Sequence, residues 1–86
     1  MFLVQISSRD TYGRYSGVGS TVERATADLY HHFQPFPDSI TVTRSSTSVF
    51  RRCEETSKFE LLPKHEMDLA IRLISDTFER LRSSQT

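Results

Sequence analysis

A chain of 86 residues has room for one domain with a small core, thin enough that binding a partner or a second copy would add useful stability. Only 36% of its residues are hydrophobic, which six Phe partly offset because each ring buries a large area. Eleven basic residues balance eleven acidic ones, which argues against a protein that coats nucleic acid by bulk charge, and the one cysteine excludes an intrachain disulfide.

In chain order, residues 2–8 alternate Phe2, Val4 and Ile6 against Leu3, Gln5 and Ser7, which predicts a strand with one core face. Asp10 to Gly13 reads as a turn, and Arg14-Tyr15-Ser16 as a short return strand completing a hairpin. Gly17-Val18-Gly19 is expected to break that strand. Ser20 and Glu23 fit a capping box, and Val22, Ala25, Leu29 and Phe33 follow at helical spacing. Pro35 and Pro37 end the helix and place Phe36 in an exposed position.

Ile40 and Val42 alternate with Thr41 and Thr43, which predicts a second hairpin: a strand, a polar connection over residues 44–48, and a return over 49–56. Residues 58–61 continue or cap that edge. Pro63 suits the first turn of a final helix. Its stripe is Met67, Ala70, Ile71, Ile74, Phe78 and Leu81, with Asp68, Arg72, Asp76 and Arg80 opposite at alternating sign. The expected fold is therefore α+β: a two-layer sandwich of a small, mostly antiparallel sheet of three to four strands against two helices, in the order β(β)αββα, as a single domain over 1–86.

No catalytic constellation is legible. His31, His32, His65 and Cys53 are residue types that zinc accepts, but neighbouring helical residues point about 100° apart, so His31 and His32 do not converge on one metal. Cys53 with His65 as base lacks an orienting group, and a small side chain facing the core is the simpler reading. Gly17-Val18-Gly19-Ser20-Thr21 before a helix lacks the lysine of a phosphate loop and reads as a backbone break with a cap. The Ser/Thr-rich run from Ser39 to Ser48 has no base or oxyanion hole beside it and suits turns and strands. No catalytic residue, cofactor or metal site is assigned.

The arginines are the candidate contact surface. Six Arg against four acids give residues 1–52 a balance of +2, while five bases against seven acids give the remainder −2. Arg9 and Arg14 flank the first turn, Arg44, Arg51 and Arg52 bracket the expected second hairpin, and Tyr12 and Tyr15 lie nearby. Arg and Tyr are enriched at protein interfaces and also suit phosphate backbones.

In size and in its lack of motifs the chain resembles the small accessory proteins of phages and mobile elements, among them anti-CRISPR inhibitors that block a larger assembly by surface contact. That resemblance rests on no particular residue. It implies a non-enzymatic protein-binding module, with nucleic-acid binding through the same arginines as the alternative, and leaves a homodimer open. The start, Met1 to Ile6, lacks a basic leader region, and no apolar run reaches the roughly 20 residues of a membrane span. The expected compartment is the cytoplasm.

Overall fold

The structure, a computed structural model, describes residues 1–7, 14–37 and 40–83. Its elements are β1 (Phe2–Ser7), β2 (Arg14–Gly19), α1 (Val22–His32), β3 (Thr47–Arg52), β4 (Phe59–Leu61) and α2 (Lys64–Ser83). The four strands form one antiparallel sheet in the order β2-β1-β3-β4, with both helices on one face. This is the α+β sandwich that the sequence predicts.

Alternation along β1 sends Val4 and Ile6 into the core, level with Val49 and Thr47 of β3. Helical spacing brings Val22, Ala25, Leu29 and Tyr30 of α1, and Ala70, Ile74 and Phe78 of α2, against that layer. The two buried helix threonines satisfy their hydroxyls within their own helices: Thr26 donates to the Val22 carbonyl at 2.8 Å and Thr77 to the Leu73 carbonyl at 2.7 Å.

Gly17 and Gly19 do not break β2; they lie inside it, in the register that faces α1. A Cβ on Gly17 would lie 2.2 Å from the Ala25 carbonyl oxygen, and one on Gly19 2.5 Å from the Ala25 nitrogen. Glycine is used because the helix backbone rests directly on the strand. The cap also sits one residue later than the sequence suggests. Thr21 is the N-cap, accepting the Arg24 N–H at 3.1 Å, while the Ser20 hydroxyl accepts a bond from the Arg24 guanidinium.

Phe36 is buried, stacked on Phe78 with centroids 5.1 Å apart and packed beside Tyr30 and Tyr15. Residues 40–43 form no strand: Ile40 is buried and Val42 packs on the core, but their expected partner, the segment that forms β3, already has both edges taken, by β1 and β4. Alternation records which side chains bury, whereas a strand also needs a neighbour's backbone. The second hairpin is instead β3–β4, closed where Cys53 N–H donates to the Lys58 carbonyl and Ser57 N–H to the Cys53 carbonyl, both at 2.8 Å. Ser57 adopts φ 58° within this turn.

Candidate interaction surface

The described candidate arginines do not share one face. Arg14, on β2, and Arg52, on β3, project from the face of the sheet away from the helices, but Arg14 is level with Ser7 of β1 and Arg52 with Met1. Six residues of strand separate those levels, roughly 20 Å. Arg51 lies on the helix side, where its Nη1 is 3.4 Å from Glu66 Oε2 on α2. Arg44, in the turn before β3, holds Asp68 of α2 with 3.1 Å between Nε and Oδ1. Tyr15 faces the core, its ring edge-on to Phe33 at 5.0 Å and to Phe36 at 5.4 Å. Arg9 and Tyr12 lie outside the described residues.

Register instead assembles an apolar row that composition hides. Val18 of β2 is opposite Leu3 of β1, Leu3 opposite Phe50 of β3, and Phe50 opposite Leu61 of β4. All four project from the open face, because their strand neighbours Gly17, Val4, Val49 and Glu60 occupy the helix side. Val18 and Leu61 are 40% and 58% exposed, and Met1 and Phe59 extend the row at one end. At the other end runs a polar row, Ser16, Gln5 and Ser48, followed by Arg14. Among the described strand residues this face carries Arg14 and Arg52 and no carboxylate.

This row has a signature in the sequence. Phe2-Leu3-Val4 and Val49-Phe50 put apolar residues on both faces of a strand, and only one face can meet the helices. Which outward residues then stand side by side depends on register, and register is a tertiary property.

Cys53 is half-buried at the start of the β3–β4 turn instead of facing the core. Hydrogen bonds from Thr56, first its backbone N–H and then its hydroxyl, and from the Glu55 N–H hold the thiol below its ordinary pKa. His31 and His32 are both exposed, edge-on to Tyr30 and Phe33 respectively. No group of three or more potential metal ligands occurs among the described residues. No described helix is long and apolar enough to cross a membrane.

The chain matches no family model, no curated protein and no solved structure.

Proposed function

We propose that this chain is a protein-binding module, acting without catalysis, that docks a partner on the open face of its sheet. The observation that carries the reading is the Val18–Leu3–Phe50–Leu61 row, continuous over four strands and left uncovered by either helix. A row of this kind costs solubility unless something binds it, since contiguous exposed apolar surface on small soluble domains marks contact sites. The face around the row, with Met1, Phe50, Phe59 and Arg52 and no carboxylate among its described strand residues, also suits an interface: aromatic residues, Met and Arg are enriched at such surfaces, and Asp, Glu and Lys are depleted. The inhibitor or accessory role is one form of this reading, because blocking a larger assembly requires only a well-fitting surface.

Substituting Leu61 by Asp tests the docking face with little risk to the fold, as the side chain is 58% exposed. Capture from the native host, followed by mass spectrometry, should recover a partner with the unaltered chain and lose it with Leu61→Asp and with Phe50→Ser. Both variants should keep the circular dichroism spectrum of the parent. An undiminished yield of the same partner with both variants would remove the face from consideration.

One observation favours a second reading. Phe50 and Phe59 lie on a face whose charged strand residues are both arginines, which suits single-stranded nucleic acid through stacking and phosphate contact. The row is otherwise aliphatic, so the protein reading ranks first. Nucleic-acid affinity would fall steeply with salt as counterions are released, and absence of a gel shift at low salt eliminates this alternative.

A further inference from the structure

Hydrogen bonds on either side of β4 fix which way its backbone points. Cys53 N–H donates to the Lys58 carbonyl and Leu62 N–H to the Val49 carbonyl, so the bonded pairs of β3 and β4 include Arg51 with Glu60. Phe59 and Leu61 are therefore the non-bonded pairs, with their N–H and C=O groups directed away from β3. Those groups have no bonding partner among the described residues. The opposite edge is different: Val18 N–H, which points outward from β2, donates to Asp28 Oδ2 of α1 at 3.1 Å. An acidic helix side chain thus caps one N–H of that edge, while β4, whose three residues are all exposed, has no such bond among the described residues.

We propose that β4 accepts an extended segment of a partner protein as a fifth, antiparallel strand, and that this segment reads apolar–basic–apolar across Phe59, Glu60 and Leu61. The proposal rests on the docking reading above and names how the partner engages. Two outward-facing residues offer two N–H and two C=O groups, enough for four backbone bonds to a strand about 4.8 Å away. Apolar residues opposite Phe59 and Leu61 would lie on the open face and lengthen the exposed row by one strand. The residue between them would face Glu60 in the close, non-bonded position.

Glu60 chooses the occupant. It is exposed and makes no ion pair among the described residues. In the fully bonded register a second copy of this chain would set Glu60 against its own equivalent, and like charges directly opposite are destabilising. A Lys or Arg at that position turns the same contact into an attraction. The fit is therefore to another protein's strand instead of to a second copy.

The test uses two capped pentapeptides, Thr-Leu-Lys-Val-Thr and Thr-Leu-Glu-Val-Thr, titrated to millimolar concentration into ¹⁵N- and methyl-labelled protein. With the lysine peptide at about ten times its Kd, exchange of the Phe59 and Leu61 amides should slow about tenfold. The glutamate peptide should protect them less, and Glu60→Gln should remove the difference while keeping the spectrum of the folded chain. Shifts of the Leu3 and Val18 methyls without protection at Phe59 and Leu61 would overturn strand addition and leave face docking standing. Equal protection by both peptides on the unaltered chain would overturn the charge rule. Absence of amide protection with either peptide would overturn the proposal, whereas face docking is judged separately by the Leu61→Asp capture.

Discussion

Replacing Gly17 with Ala is the sharpest test of how α1 seats on the sheet. No described glycine has positive φ, so alanine fits the backbone, and the loss of unfolded-state freedom favours folding by about 0.4–1 kcal/mol. Sterics oppose this. The new methyl would lie 2.2 Å from the Ala25 carbonyl oxygen, 2.5 Å from the Leu29 nitrogen and 2.7 Å from the Leu29 Cβ, none of which can rotate away. Ordinary contact starts at 3.4 Å, so α1 must withdraw by about 1 Å. A gap of that size forfeits about a quarter to a half of the dispersion energy at each affected contact, and Leu29 is fully buried. Overpacking of this kind costs about 3 kcal/mol, leaving a net loss of about 2–3 kcal/mol after the entropic gain. A chain of this size has about 4–13 kcal/mol of total stability, and Tm should fall by about 8–24 °C. Urea denaturation followed by circular dichroism measures the loss, with Ser16→Ala, on the open face of the same strand, as a control that stays within about 0.5 kcal/mol. A Gly17→Ala variant within 0.5 kcal/mol of the parent would refute the close seating of α1.

Phe36→Ala, which removes the ring stacked on Phe78, should cost about 3–5 kcal/mol; a surface-like loss below about 1 kcal/mol would restore the exposed placement that the flanking prolines suggest. Arg44→Ala should cost less than about 1 kcal/mol in the same denaturation, because both partners of its ion pair with Asp68 are more than half exposed; a larger loss would give that turn a structural role. Cys53 should react with iodoacetamide at neutral pH faster than the urea-unfolded chain does, since bonds from Thr56 and Glu55 favour the thiolate. The folded thiol pKa lies below the unfolded one, so this group's contribution to stability is fully present above the unfolded pKa and is lost as pH falls through the folded value. An alkylation rate equal to that of the unfolded chain would show that those bonds do not form in solution.

The clearest sequence signals were those written in a single element's own periodicity. The stripe from Met67 to Leu81 specifies α2, and the alternation of Phe2, Val4 and Ile6 specifies β1, because burial on one face is enough to produce each pattern. Gly17 and Gly19 carry no such local signal: their meaning lies in the backbone of α1, which rests on them only once the domain is packed. Ile40 and Val42 carry a strand's alternation but bury without pairing, since β3, their expected partner, is already paired with β1 and β4.

The candidate surface divides along the same line. Sequence named Arg14 and Arg52, and both stand on the open face, but it grouped them with Arg44 and Arg51, which reach across to Asp68 and Glu66 of α2, and with Tyr15, which packs inward. By itself the sequence determined two amphipathic helices, a small sheet and their order, because local periodicity needs only a core on one side. Tertiary structure alone decided that Val18, Leu3, Phe50 and Leu61 stand in one row and that the outer edge of β4 has no bonding partner among the described residues. Both depend on strand register and strand order, which arise from backbone pairing between segments that carry no local record of one another.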